Sequence, residues 1–318
     1  MGDPKNRAKV SVALIGVGPT WDLHYHAAIQ RLSTKICVRA VCDSVLSRAA
    51  SVADEFQASP VDSPWLLTQR TDLHAWLILD PGWFSLYPAA LAVENERPAL
   101  FANSFSSSLE KTENLFQRSQ QLGESLMPEF PQRFSPATTR LRELMATKLG
   151  RVRRIELVIP TAPGDSPLDW LMTNLSVMVG IFDWCAWLIG APVSDISFHQ
   201  SSSGPQLELS FQRRSPKPDT ALATLRFSDT DGTITRIIDC ERGSATSSGP
   251  TQICWQSGEA QGVETFSHER SPYEIILDQF CRRALGGLVP VPTYHDALQA
   301  IANTRRAIAC MNPRRKNG

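Results

Sequence analysis

The chain has 318 residues, with 32 Lys and Arg, 32 Asp and Glu and a formal net charge of zero. This length suffices for two domains of ordinary size, and 42% hydrophobic residues suffice for a core. The balanced charge argues against a surface built for nucleic acid, and we expect the short basic run Arg314–Lys316 to be a solvated terminus.

The seven cysteines are odd in number and contain no C-x-x-C pair. That usage predicts reduced thiols in a cytosol-like compartment, and the polar start of the sequence contains no signal peptide, so we expect a cytoplasmic protein. The apolar stretch Trp170–Ile189 has the length of a membrane span but includes Asn174, Ser176 and Asp183. It is therefore interpreted as a buried core helix, and no membrane association is expected.

Short apolar segments alternate with helical patterns over the first part of the chain. This order predicts an α/β fold with a doubly wound parallel sheet, in which ligands bind at the carboxyl ends of the strands. Those ends include Asp43 and Asp80–Trp83. Strands are predicted at Lys9–Ile15, Ile36–Cys42, Ala75–Leu79 and Ala99–Ala102, and helices at Asp22–Leu32, Val45–Phe56, Phe84–Asn95 and Leu109–Leu122.

Prolines at 128 and 131 indicate a boundary, and the character of the sequence changes after it. Ser135 and Pro136 predict the start of a helix that ends at Gly150. We predict a Rossmann-like dinucleotide-binding domain over residues 1–126 and an α+β substrate and dimerisation domain, with a mostly antiparallel open sheet, over 127–318. Its strands are predicted at Ile155–Pro160, Leu207–Phe211, Leu222–Phe227, Thr233–Cys240 and Thr251–Gln256, with a hairpin turn at Asp231-Gly232.

The first strand runs into Gly16-Val17-Gly18, the start of a G-x-G-x-x-G fingerprint for a dinucleotide. Gly16, Gly18 and Asp43 are the predicted cofactor-binding residues. Asp43 ends the second strand, where an acidic residue accepts hydrogen bonds from the adenosine ribose; helix capping is the alternative role. Pro19 has no N–H to donate, and Trp21 stands at the third glycine position. A weak or absent interaction with NAD or NADP is therefore expected.

Five segments in order resemble the glucose–fructose oxidoreductase / inositol dehydrogenase (Gfo/Idh/MocA) family over nearly the whole length. They are VALIGVG, VCDSVLSRAASVADEF, PQRFSPATTRLRELMATKLGRVRRIEL, FDWCAWLIGAP and VPVPTYHDALQAIANTRRAIA. The resemblance implies a nicotinamide dinucleotide on the N-terminal domain. It also implies a sugar or polyol oxidised or reduced at the cleft between the domains, and a C-terminal sheet that forms a dimer interface.

The family's catalytic side chains do not carry over to this sequence. Its E-K-P lysine falls on Asn103, and the general-base histidine of its D-x-G-x-H motif falls on Gly180, with Ser176 at the acidic position. A further histidine that follows the fourth strand is replaced by Ser85. Asparagine cannot supply the ammonium charge, and glycine cannot transfer a proton.

These observations predict a Gfo/Idh/MocA-like NAD(P)-dependent oxidoreductase homologue for a sugar or polyol derivative, with a degraded or altered catalytic site. The alternative is a non-catalytic binding or regulatory protein that uses the same fold as a scaffold. No metal site is expected. A small-molecule ligand is compatible with either function, and we expect a homodimer, or a dimer of dimers, through the C-terminal sheet.

Overall fold

The computed structural model describes residues 9–102, 104–105, 108–123, 125–202, 204–213, 219–229 and 232–312. By its internal contacts the chain divides into two compact units. The first consists of Met1–Glu129 with Tyr273–Leu298, and the second of Phe130–Pro272 with Gln299–Gly318.

The first unit contains a six-stranded parallel sheet in the order β3-β2-β1-β4-β5-β6, which is the predicted doubly wound class. Its two central strands are apolar except for Ser11, because helices cover both faces of such a sheet. The elements are β1 (Val10–Ile15), α1 (His26–Arg31), β2 (Ile36–Cys42), α2 (Leu46–Phe56), β3 (Ser59–Val61), α3 (Pro64–Thr68), β4 (Ala75–Ile78), α4 (Tyr87–Glu94), β5 (Ala99–Phe101), α5 (Leu109–Gln121) and β6 (Leu126–Pro128).

Helix α9 (Pro272–Ala284) packs with the first unit, although the sequence assigned everything after residue 126 to one C-terminal domain. Two ion pairs hold it there. Lys35 Nζ lies 2.5 Å from Asp278 Oδ1, and Arg31 Nη1 lies 3.7 Å from Glu274 Oε2. These ion pairs join residues that are far apart in the sequence, and they leave no pattern in it. The boundary predicted near residue 126 therefore did not assign residues 273–298 to the first unit.

The second unit contains an eight-stranded sheet in the order β14-β13-β12-β11-β7-β10-β9-β8, and all neighbours except β7 and β10 are antiparallel. The elements are α6 (Pro136–Leu144), β7 (Val152–Pro160), α7 (Pro167–Thr173), α8 (Leu175–Ile189), β8 (Val193–Ser201), β9 (Gly204–Arg213), β10 (Asp219–Ser228), β11 (Thr235–Cys240), β12 (Ser244–Ser247), β13 (Gln252–Ser257) and β14 (Ala260–Thr265). The last helix, α10 (Tyr294–Met311), belongs to the first unit up to Leu298 and to the second unit from Gln299.

The hairpin predicted at Asp231-Gly232 is wrong in its pairing, and Asp231 itself lies outside the described residues. β7 inserts between β10 and β11, pairing parallel with β10 and antiparallel with β11. A turn signal reports only local backbone preference, and it does not report whether a third strand separates its neighbours.

The predicted start and end of the first helix of the second unit are confirmed. Ser135 caps α6, since its hydroxyl accepts from Thr138 N at 3.2 Å, and Gly150 follows with a φ of 78°. The apolar stretch Trp170–Ile189 is not the single core helix that was predicted, because a break at Asn174 divides it between α7 and α8, and of these only α8 is mostly buried. Within the described ranges no single helix is long and apolar enough to cross a membrane; α7 and α8 reach that composition only as a pair bent by 97°.

Candidate functional site

The glycine turn after β1 lies directly against the end of β4 in the first unit. Gly16 has a φ of 81°, and a Cβ atom built on it would lie 1.8 Å from the Asp80 carbonyl oxygen. No residue with a side chain fits that position, because both the backbone conformation and the space exclude one. At Gly18 a Cβ would lie 3.3 Å from Asp80 Cβ. The two glycines therefore hold Asp80 against the turn.

The Asp80 carboxylate caps the helix that starts after the turn. Its Oδ2 accepts from Thr20 N at 2.7 Å and from Trp21 N at 3.1 Å. In a dinucleotide fold these N-terminal amides, with the positive end of the helix dipole, receive the pyrophosphate. Here a carboxylate of the chain itself takes that position.

Asp43 is also committed to the chain's own hydrogen bonds. Its Oδ2 accepts from Val17 N at 2.9 Å, and its Oδ1 accepts from Val45 N at 2.7 Å and Arg48 Nη2 at 3.0 Å. The residue is only 4% exposed. Val45 is the residue before α2, and the start of α2 has no side-chain cap, so Asp43 forms an Asx-type turn ahead of the helix and not the predicted N-cap. Whether Asp43 also binds a ribose stays a prediction.

A cleft of about 400 Å³ lies at this edge of the sheet. It is lined by Gly18, Pro19, Asp43, Ser44, Arg48, Asp80, Pro81, Gly82, Ser85, Leu86 and Phe101. Trp21 is not among the lining residues. It is 2% exposed and packs on His26 and Phe56, with ring centroids 5.1 and 5.9 Å apart. Trp21 therefore does not crowd a nucleotide in this cleft, contrary to what its place in the fingerprint suggests.

The residues at the turn do not fit a dinucleotide pyrophosphate. Val17 N donates to Asp43, Pro19 has no N–H, and Thr20 N and Trp21 N both donate to Asp80. The two carboxylates would also face the phosphate charge at short range. The frame of a nucleotide site is present, but three of the amides at the turn already donate to carboxylates of the chain.

Aromatic and acidic side chains follow the turn along the same helix. His24 stacks on Tyr273 with ring centroids 4.1 Å apart, and burial lowers the pKa of His24. Tyr25 donates its hydroxyl to Glu129 Oε1 at 2.6 Å. Burial first, and the Glu129 carboxylate second, raise the pKa of Tyr25 well above its ordinary value, so Tyr25 stays protonated. These contacts hold Trp21–Tyr25, a π-helical turn, in place.

In the second unit, Gly180 lies in the buried part of α8 under the side chain of Gln132. A Cβ atom on Gly180 would lie 2.8 Å from Gln132 Nε2 and 2.9 Å from its Oε1. The Gln132 Oε1 atom is buried and has no hydrogen-bond partner among the described residues. An amide therefore fills the space beside Gly180, and an amide cannot act as a general base at neutral pH.

A buried ion pair lies next to this amide. Two of the guanidinium nitrogens of Arg133, Nε and Nη2, donate to the carboxylate of Asp183, which lies three residues after Gly180. The Arg133 guanidinium also lies 5.4 Å from the Phe130 ring and 5.6 Å from the Trp187 ring. This bidentate pair fixes the turn Pro131–Phe134 against α8 and so fixes Gln132 over Gly180.

Comparison with solved structures finds oxidoreductases that share the whole fold at low sequence identity. An oxidoreductase from Thermotoga maritima is 16% identical, with 95% of this chain and 97% of that chain covered and a TM-score of 0.74. A UDP-N-acetylglucosamine 3-dehydrogenase from Acidithiobacillus ferrooxidans is 17% identical, with 96% and 98% covered and a TM-score of 0.71. A Gfo/Idh/MocA family oxidoreductase from Vibrio cholerae is 15% identical, with 96% and 98% covered and a TM-score of 0.70.

The chain has the two-domain fold of the Gfo/Idh/MocA oxidoreductases. No protein-family model matches the sequence, and no curated protein matches it. The likeness to the Gfo/Idh/MocA structures is therefore one of fold, and it carries no substrate or activity over to this chain.

The residues singled out from the sequence fall into two groups on this Gfo/Idh/MocA fold. Gly16, Gly18 and Asp43 lie together at the turn of the first unit, and Gly180 lies in the second. Asn103 lies outside the described residues, between buried Ala102 and Ser104. Within the described part of the chain no three His, Cys, Asp or Glu side chains are placed to bind a metal ion.

Sequence reasoning missed the roles of Asp80 and Gln132. Asp80 follows β4, and β4 pairs directly with β1, so an acidic residue there had to lie beside the glycine turn. The sequence predicted these strands but not their order in the sheet, so the pairing of β1 with β4 became visible only in the structure. Gln132 gave no signal, because its contact with Gly180 joins a short turn to a helix 48 residues later.

Proposed function

We propose that this protein is a non-catalytic member of the oxidoreductase fold class and uses the two-domain scaffold for binding rather than hydride transfer. The observation that carries the proposal is the pair Gly180 and Gln132. At the position where the family motif has a general-base histidine, the chain has no side chain, and the neighbouring group is a neutral amide. Loss of a general base alone typically lowers the rate by about 10²–10⁴-fold.

The donor set at the glycine turn supports the same proposal from an independent unit of the molecule. Hydride transfer needs a bound dinucleotide, and the amides that would bind its pyrophosphate already donate to Asp43 and Asp80. Two changes in separate units, one against the cofactor and one against proton transfer, favour loss of the reaction over replacement of one group.

A second candidate function is an oxidoreductase with an altered base, acting on a sugar or polyol derivative. Its support is the retained Asp43 at the end of β2 and the neutral His24 beside the turn, whose pKa burial lowers. An imidazole that is neutral at pH 7 has the protonation state that a general base needs.

Turnover assays separate the two candidates. The purified protein is incubated with NAD or NADP and, in separate reactions, myo-inositol, glucose, sorbitol and UDP-N-acetylglucosamine, and reduced nicotinamide is followed by absorbance. We expect no turnover. We also expect none from the variant Asn103→Lys with Gly180→His and Gln132→Ala, because Asp80 still occupies the phosphate position. Robust turnover by the unmodified chain would favour the second candidate and contradict our proposal.

A further inference from the structure

We propose that Asp80 is an internal substitute for a cofactor phosphate, and that its carboxylate occupies the two amides at the helix start that a dinucleotide bound at this turn would need. The inference deepens the proposed function, on which it rests, by naming the group that excludes the cofactor. It concerns binding at the glycine turn alone and makes no use of Gln132 or Gly180.

The backbone of Asp80 is held against the glycine turn, so only the Asp80 side chain can move away from the helix start. A Cβ on Gly16 would fall 1.8 Å from the Asp80 carbonyl oxygen and 2.1 Å from its carbonyl carbon. The main chains of β1 and β4 are therefore in close contact at this point. Gly18 approaches the Asp80 side chain from the other side, with a virtual Cβ 3.3 Å from Asp80 Cβ. This close packing of the glycine turn on Asp80 places the carboxylate at the start of the helix.

The Asp80 carboxylate satisfies the same groups that an external phosphate would. Thr20 N and Trp21 N donate to one oxygen, Oδ2, at 2.7 and 3.1 Å. An acceptor held within the chain has a high effective concentration at these donors, and a dissolved anion must displace it. A phosphate that binds beside Asp80 instead meets its negative charge without the amides.

A cleft surrounds this carboxylate, although Val17 N stays paired with Asp43 and Pro19 has no N–H. The cleft of about 400 Å³ opens beside Gly18, and Asp43, Ser44 and Arg48 line it together with Asp80. Removal of the Asp80 carboxylate alone should therefore uncover two amide donors in a cleft of suitable size. Two charge-assisted hydrogen bonds correspond to about 100-fold or more in affinity.

Calorimetric titration at low ionic strength tests this with two probes, NADH and inorganic pyrophosphate. The chains compared are the unmodified protein, Asp80→Ala, Asp80→Asn and the control Asp54→Ala, which removes an exposed carboxylate from α2. We expect no measurable binding by the unmodified protein or by Asp54→Ala. Asp80→Ala should bind both probes at least about 100-fold more tightly than the limit set by the unmodified chain.

Asp80→Asn keeps an oxygen for the two amides and loses only the charge, so it should fold and gain about 10-fold. Folding of each variant is checked by circular dichroism. A folded Asp80→Ala without gained affinity overturns the inference, and so does an Asp80→Asn without gain if Asp80→Ala fails to fold. Tight NADH binding by the unmodified chain without turnover also overturns it, while leaving the non-catalytic proposal in place. Turnover by Asp80→Ala, once it has gained NADH binding, would support the inference and contradict the argument from Gly180 and Gln132 that carries the non-catalytic proposal.

Discussion

At the scale of single residues, Gly16 and Gly180 are glycines for different physical reasons. Gly16 combines a positive φ with direct contact to the Asp80 main chain, and that neighbour cannot move. Gly180 has ordinary helical geometry, and its neighbour is the amide end of Gln132, a flexible side chain. Substitutions at the two positions should therefore differ in whether a second change can rescue them.

Gly16→Ala should destabilise the protein by about 3 kcal/mol or more, because its methyl group would overlap the Asp80 backbone. The matched control is Gly249→Ala, since a Cβ on Gly249 meets no atom within 4 Å. Urea denaturation gives the free energy of unfolding for both. A loss at position 16 no larger than at position 249 would contradict the close contact of β1 and β4.

Gly180→Ala should cost about 1–3 kcal/mol of unfolding free energy, because its methyl group meets the Gln132 amide. Gln132→Ala should be nearly neutral alone, since it removes a buried oxygen that lacks a partner among the described residues. The double variant should recover most of the loss, which a double-mutant cycle measures directly. Strictly additive effects would show that the two residues do not contact each other.

Burial lowers the thiol reactivity of three cysteines by raising their pKa values. Burial raises the pKa of Cys42, Cys185 and Cys281 to about 12 in each case, so at pH 8 these groups are almost wholly protonated. Cys254 is exposed. Because the thiolate is the reactive form, a disulfide reagent at pH 8 should label Cys254 first and the three buried thiols only on unfolding. Unchanged fast labelling in Cys254→Ser would contradict this.

At the scale of elements, the buried pair of Arg133 and Asp183 joins the turn Pro131–Phe134 to α8. Asp183→Asn should lower the free energy of unfolding by about 3–5 kcal/mol, because it leaves the guanidinium buried without its counter-charge. The control is Glu94→Gln, which breaks the exposed pair with Arg118 and should cause no measurable change. Equal, small effects in thermal unfolding would contradict the role given to the buried pair.

The elements that the sequence predicted well are those with a local signal. β1, β2, β4 and β5 are apolar runs bounded by turn residues, and the structure places them within one residue of the predicted ends. β3 and β6 have three residues each, too few to form a pattern. The roles of Asp80 and Gln132 could not be predicted from a local signal, because they depend on which glycine of the folded chain each residue contacts.

At the scale of the whole molecule, we propose a homodimer, or a dimer of dimers, formed through the eight-stranded sheet of the second unit. Buried positions alternate with half-buried ones along β7, β9 and β10. The half-buried face carries Leu222 and Val158 beside the pair Arg226 and Glu156, whose Nη2 and Oε1 atoms lie 3.0 Å apart. A symmetric interface there, at or next to Leu222–Phe227 and Thr233–Ile238, would bury on the order of 1,600 Å² or more in total.

Light scattering should give at least twice the 35.2 kDa mass of the chain, and Leu222→Asp should reduce it towards the single-chain value. The control is Leu288→Asp, a substitution at an exposed position of the first unit, outside the eight-stranded sheet. A mass of one chain at every protein concentration would contradict the proposed dimer. This outcome is independent of the cofactor question, because it concerns the second unit only.

We propose that the chain does not hold a dinucleotide, because its own carboxylates take donors at the glycine turn. Native mass spectrometry of the unmodified protein, purified gently and then equilibrated with a saturating concentration of NADH, tests it most directly. We predict a spectrum of the protein alone, with no bound dinucleotide before or after the addition. One NADH molecule retained per chain would contradict this proposal.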